Sequence, residues 1–215
     1  MTADWYFDFI SPYAFLHFHR LRELENRLSV RMQPVLFGAI LDHWGQLGPA
    51  EIAPKRQHTY RQAHWLARRR GLPFKGPEAH PFNPLKLLRL AIHLDVTPQA
   101  VERLFRFVWQ QGFIPENETA WRELTAELGV DDADERIARP EVKAALRANT
   151  EAAVAAGVFG VPTLVVDGRL FWGDDSTEMV LDYLDNPAPF HRDEARIATL
   201  PVAATRPGSR GGARS

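Results

Sequence analysis

The sequence predicts an α/β fold whose two ends build one small domain and whose middle is a large all-helical insertion. Three observations carry this expectation. The chain opens as strand, helix, strand. From about Leu41 to Ala156 it shows a succession of helical patterns with little strand signal. After Gly157 it returns to a strand pair and a closing helix. The expected layout is residues 1–40 and 157–190 as one discontinuous domain, 41–156 as the insertion, and 191–215 as a disordered tail.

Asp4-Trp5-Tyr6-Phe7-Asp8-Phe9-Ile10 reads as the first strand and stops at Ser11-Pro12-Tyr13-Ala14. Phe15, Phe18, Leu21, Leu24 and Leu28 follow at spacings of three or four, which predicts an amphipathic helix. Val30 to Phe37 is the second strand. In the middle, helices are predicted over Lys55–Arg70, Pro84–Leu94, Pro98–Gln111, Glu118–Leu128 and Glu141–Ala156. Their boundaries include Thr97-Pro98 at a start and Gly112, Gly129 and Gly157 past ends. Thr163–Val166, Asp167-Gly168 and Arg169–Trp172 make a hairpin, because Asp-Gly supplies the positive φ of a type I′ turn. A last helix is expected from Asp175 to about Leu184, with Asp175 and Glu178 in capping-box spacing. From Pro187 onward Pro, Gly and Arg accumulate, and Thr205–Ser215 has no apolar period. The order β-α-β, helical block, β-β-α is that of a thioredoxin-like fold split by an insertion.

Composition narrows the chemistry. An apolar share of 45% with 25% charged residues suits a globular chain with a real core. A formal net charge of -1 gives no global attraction to nucleic acid or an acidic membrane surface, and Arg68-Arg69-Arg70 has no interleaved aromatic platform. No secretory pattern opens the chain and no apolar run nears ~20 residues, so a soluble cytoplasmic protein without membrane partners is expected. The eight histidines include no His-Glu-x-x-His pair, and His58 and His64 do not share a helix face; no metal is expected. Trp65, Trp109 and Trp121 read as core or pocket wall. Cysteine is absent, which excludes disulfides, thiolate metal sites and intrinsic dithiol chemistry.

That absence is informative because of where it falls. In a redox protein of this fold the first turn carries Cys-x-x-Cys; here Ser11 and Ala14 stand at those places. A thiol, if used, must come from outside. Ser-Pro is a common helix start, with the hydroxyl capping and Pro at the first helical position. The same hydroxyl can donate to a thiolate. Lowering a thiol pKa of ~8.5 by about two units requires roughly 2.7 kcal/mol, the order of one charge-assisted hydrogen bond with a helix terminus. Val161-Pro162 is the second signal. A cis bond there would turn the Val161 backbone outward, where an extended peptide thiol could pair with it as a short strand.

Phe7-Asp8-Phe9-Ile10-Ser11-Pro12-Tyr13-Ala14-Phe15-Leu16, Gly160-Val161-Pro162-Thr163 and Phe171-Trp172-Gly173-Asp174-Asp175 together resemble the 2-hydroxychromene-2-carboxylate isomerases. These belong to the DsbA-like group that also holds kappa-class glutathione transferases. Phe37-Gly38-Ala39-Ile40, Pro54-Lys55-Arg56, Arg69-Arg70-Gly71-Leu72-Pro73-Phe74 and Pro81-Phe82-Asn83 agree, so the resemblance spans about residues 3–186. It implies a DsbA-like fold with glutathione as cofactor and a homodimer. Ser11 would hold the glutathione sulfur. Val161 would pair with the tripeptide beside a cis Pro162, and Trp172, Gly173, Asp174, Asp175 and Ser176 would line its γ-glutamyl end. Lys55 matches a family lysine near glutathione, and Gln46 falls in the same region. Pro12, Tyr13, Tyr60 and Asn83 would face a small aromatic carboxylate substrate. Two positions depart from the family: Ser176 stands where Arg is usual, and Gly45-Gln46 where Gly-Asn is expected.

The resemblance implies conversion of 2-hydroxychromene-2-carboxylate to trans-o-hydroxybenzylidenepyruvate in breakdown of naphthalene-like aromatics. A thiolate adds to the conjugated carbon, the resulting single bond rotates, and elimination restores the alkene as trans. A kappa-like transferase that consumes glutathione is the alternative enzyme. A non-catalytic peptide-binding protein on the same scaffold is the alternative outside enzymes.

Overall fold

The computed structural model describes residues 1–201 and 203. Four strands form one sheet in the order β2-β1-β3-β4, with β1 (Thr2–Phe7), β2 (Ser29–Pro34), β3 (Thr163–Val166) and β4 (Arg169–Trp172). β1 is central, parallel to β2 and antiparallel to β3; β4 is antiparallel to β3. The turn between β3 and β4 has Asp167 at φ 49° and Gly168 at φ 75°, as Asp-Gly predicts.

Alternation along β1 decides what lies on each face. Trp5 and Phe7 stack at 4.4 Å and, with Phe9, meet Phe105 of the insertion. Tyr6 points the other way, into a second cluster with Val35, Ile40, Ala153, Val158 and Val161. Helices therefore cover both faces: α1 (Pro12–Phe18), α3 (Ala53–Arg69) and α5 (Pro98–Trp109) on one side, α2 (Phe37–Trp44) and α8 (Pro140–Ala155) on the other. The remaining helices are α4 (Leu85–His93), α6 (Glu118–Glu127), α7 (Ala133–Arg136), α9 (Thr177–Asp185) and α10 (Ala188–Ile197). Among the described residues no helix is long and apolar enough to cross a membrane.

Several expectations are corrected. The first strand ends at Phe7, and Asp8-Phe9-Ile10 form a loop, because the parallel pairing ends where Phe7 meets Pro34. The helix expected to run to Leu28 stops at Phe18; Leu21, Leu24 and Leu28 are buried from short turns instead. Their spacing reported burial and not one continuous helix. Val35-Leu36-Phe37 does not extend β2: Pro34 closes it and Phe37 opens α2, whose first amide donates to Asp8 Oδ2 at 3.0 Å. The Asp175–Glu178 capping box is absent, since Asp174–Ser176 is a 3₁₀ turn and Glu178 pairs with Arg20 at 2.6 Å. Residues 191–197, expected to be disordered, belong to α10. Phe190 packs on Tyr183 at 5.5 Å and Arg169 pairs with Glu194 at 2.9 Å, which anchors that helix. Thr205–Ser215 lies outside the described residues. The expected boundary at residue 40 falls inside α2.

Candidate active site

The loop from Asp8 to Ile10 presents Ser11, and three consecutive carbonyls hold that loop. Asp8 O accepts from the Ser11 amide at 3.1 Å. Phe9 O accepts from Trp109 Nε1 at 2.9 Å. Ile10 O lies 2.9 Å from His80 Nε2. A carbonyl only accepts, so His80 carries its proton on Nε2, and Nδ1 is left a buried acceptor with no partner among the described residues. The Asp8 carboxylate adds a fourth tie, accepting from Ile10 N at 3.1 Å and Phe37 N at 3.0 Å. Trp109 and His80 both come from the helical insertion, which thereby sets the position of Ser11.

Ser11 is 7% exposed and begins α1. Its Oγ accepts from Ala14 N at 3.2 Å and donates to Val161 O at 3.2 Å, 150 residues away. The Val161-Pro162 bond is cis. α1 has seven residues, so its macrodipole is short and the hydroxyl itself is the main local donor. Beside Val161, Gly160 carries the exposed ring of Trp172: a Cβ there would lie 2.5 Å from Trp172 Nε1. Pro162 O accepts from Gly173 N at 2.9 Å, which sets the Trp172–Ser176 turn next to the cis bond.

Within that turn the side chains divide. Asp174 is 4% exposed and takes a bidentate pair from Arg70 at 2.7 and 2.6 Å, while Arg20 donates to its backbone carbonyl at 3.2 Å. Ser176 donates to Gly173 O at 2.8 Å. Both groups are committed to the fold. Asp175 alone of the three is exposed and able to accept from a ligand. Gly173 at φ 96° lets the turn form, and a Cβ there would strike Asp175 Oδ1 at 2.5 Å.

Tyr13 lies between these parts. Its hydroxyl donates to Gln62 Oε1 at 2.7 Å, and burial, reinforced by Asp174 and Asp175, raises its pKa. The Tyr60 ring meets His80 edge-on at 5.4 Å, and burial pushes its pKa up to about 12, partly offset by the Arg56 charge. Burial also lowers the His80 pKa, against its bond to Ile10 O and with the help of Arg56. For Asp8, complete burial outweighs three backbone amides and pushes the carboxyl up to about 7.

The structure thus brings together Ser11, Pro12, Tyr13, Val161, Pro162 and Trp172–Ser176, with Tyr60 reached through His80. Lys55 and Gln46 are exposed, and neither side chain makes a hydrogen bond among the described residues. Asn83 is exposed; its Oδ1 accepts from Leu85 N at 3.0 Å at the start of α4, which leaves Nδ2 as a donor. Sequence reasoning missed Asp8, Arg70 and His80, and it read Trp109 as core or pocket wall without its bond to Phe9 O. Asp8 had a visible signal, a lone carboxylate inside an apolar run; the others depend on contacts made across the fold.

These residues fit a bound peptide thiol in part: a hydroxyl beside a peptide edge, and one exposed carboxylate at the far end. A 2-hydroxychromene-2-carboxylate isomerase of Sphingobium xenophagum is 27% identical over 191 residues, covering 85% of this chain and 97% of that protein. Glutathione S-transferase kappa 2 of Caenorhabditis elegans is 25% identical over 210 residues, covering 86% and 92%. A solved 2-hydroxychromene-2-carboxylate isomerase shares the fold with a TM-score of 0.75 at 22% identity, over 92% of this chain and 99% of that one. The family of DSBA-like thioredoxin domains matches residues 2–185, and with its cis-proline loop facing the first helix the chain belongs to that family.

Proposed function

We propose that this chain is a glutathione-dependent isomerase that converts 2-hydroxychromene-2-carboxylate to trans-o-hydroxybenzylidenepyruvate. One observation carries the reading: the Ser11 hydroxyl lies 3.2 Å from the Val161 carbonyl, so a donor suited to a thiolate sits against a backbone edge suited to a peptide. The isomerase relatives support the reaction class and the kappa transferases the cofactor. Bound glutathione supplies a thiolate whose reversible addition to the conjugated carbon permits rotation.

This chain's residues do the rest. Ser11 turns its proton from Val161 O to the sulfur while Oγ still caps Ala14, so engaging the thiol exchanges one hydrogen bond and leaves the helix cap in place. Val161 offers main-chain pairing, and Asp175 accepts from the γ-glutamyl ammonium. Tyr60, its pKa pushed up to about 12, remains a neutral donor at neutral pH for the substrate's oxygens, and Tyr13 would join it by releasing its bond to Gln62. Asp174 and Ser176 act through the turn they hold.

The test is spectroscopic turnover of 2-hydroxychromene-2-carboxylate with and without glutathione, on wild type and Ser11→Ala. The proposal expects turnover that needs glutathione, leaves its concentration unchanged and falls about 10-fold in the variant. Stoichiometric loss of glutathione would assign a transferase instead. Absence of glutathione binding would end both enzymatic readings.

A further inference from the structure

We propose that Arg56 recognises the carboxylate of the substrate, an inference that rests on the isomerase reading. The element that carries Arg56 is α3. Ala63 and Ala67 are fully buried and Tyr60 is half-buried, and Arg56 continues the same stripe: residues 56, 60, 63 and 67 recur at four, three and four. That stripe faces α1 and the core. At Tyr60 it leaves the core, and one turn further it ends in the exposed Arg56 guanidinium. Arg56 is about 40° from Tyr60 around the helix, whereas Lys55 is about 140° away. The neighbouring lysine therefore does not share this direction.

From Tyr60 the line runs into the site. Its ring meets His80, His80 Nε2 donates to Ile10 O, and Ile10 precedes Ser11. The Arg56 charge is felt by both the Tyr60 hydroxyl and the His80 ring. Among the described residues no carboxylate pairs with Arg56, so its guanidinium is free to take one from a ligand. A substrate held here would meet the thiol end at Ser11, a neutral phenol at Tyr60 and a planar cation at Arg56. A guanidinium suits a carboxylate because two parallel N–H donors match its two oxygens. Arg56 then sets which substrates enter, and the thiol chemistry stays at Ser11.

The experiment uses full-length protein with glutathione present. Its binding probe is 2-oxo-4-phenylbutanoate, a saturated analogue of the product with no conjugated carbon for a thiol to attack, compared with its methyl ester by calorimetry. Wild type should bind the acid more tightly than the ester. Arg56→Gln should weaken the acid about 10- to 100-fold, as loss of a charge-assisted pair implies, and leave the ester and glutathione unchanged. Arg56→Lys should fall between. In turnover the KM should rise by the same factor with kcat nearly constant. If Arg56→Gln binds acid and ester as wild type does, or weakens both equally, the proposal is overturned. Tight, Arg56-dependent acid binding without isomerisation would keep the carboxylate site and remove the isomerase reading. Isomerisation untouched by Arg56→Gln would do the reverse.

Discussion

Replacing Arg70 by Met tests whether the turn carrying Asp175 is held by a buried charge pair. The Asp174 carboxylate is 4% exposed and receives both Arg70 donors, at 2.7 and 2.6 Å. Without Arg70 that carboxylate has no second guanidinium, because Arg20 is engaged with Glu23, Glu178 and the Asp174 backbone. Stranding one member of a buried pair costs about 3–5 kcal/mol. Arg70 is a quarter exposed, so water reaches the pair and the lower end, about 3 kcal/mol, is expected. In a chain of this length that lowers Tm by roughly 6–12 °C. The double change Arg70→Met with Asp174→Leu removes the charge along with its partner and should recover at least half of the loss. Urea unfolding and thermal melts of the three proteins read this directly. A loss below about 1 kcal/mol in the single variant, the range of exposed pairs, would refute the reasoning, as would a double variant weaker than the single.

Stability should also report Asp8 and His17 through pH. The Asp8 pKa is raised from 3.8 to about 7, so the folded state holds the extra proton and stability falls as pH rises between those values, by about 4 kcal/mol in total. His17 is lowered from 6.5 to about 3 by burial, so its contribution is present above 6.5 and is lost as pH falls. The two slopes oppose each other between about pH 4 and 6.5; Asp8→Asn should expose a steeper acid loss in urea titrations, and an unchanged profile would count against it. Trp109→Phe leaves Phe9 O buried without its donor, at a cost of about 1–3 kcal/mol, and should speed amide exchange around residues 9–11. Ser11→Ala removes a cap worth about 1 kcal/mol. It should also raise the bound thiol's pKa, read by thiolate absorbance; a stability change with no shift in that pKa would leave Ser11 purely structural.

What the sequence disclosed followed periodicity and punctuation. Asp167-Gly168 gave its hairpin and Thr97-Pro98 its helix start, with Thr97 Oγ1 accepting from Ala100 N, because both are local events. Ser11 beside Val161 was visible as two separate motifs. A cis bond before Pro162 was expected to set Val161 next to the start of the first helix, and the geometry places the two in contact. The remainder was hidden for a physical reason. Phe37 sits in an apolar run that suits strand or helix equally, and the distant carboxylate of Asp8 decides it by accepting from the Phe37 amide. Arg70 reads as the last of three basic residues, yet its partner lies 104 positions away. His80 and Trp109 matter through ring nitrogens that reach two backbone carbonyls, and backbone acceptors have no signature in side-chain identity.

The contact between Ser11 and Val161 spans 150 residues, and this separation has a temporal side. At roughly 5–20 residues per second, Val161 leaves the ribosome about 8–30 s after Ser11. Through that interval β1 can pair with β2, but its other edge has no partner, because β3 is not yet made. Trp5, Phe7 and Phe9 wait with it until α5 brings Phe105 and Trp109. The nascent chain thus carries an open strand edge for most of its synthesis, and a bare aromatic face until α5 is made. Its yield in a cell will depend on how well that edge is shielded from neighbouring chains until the last strands arrive.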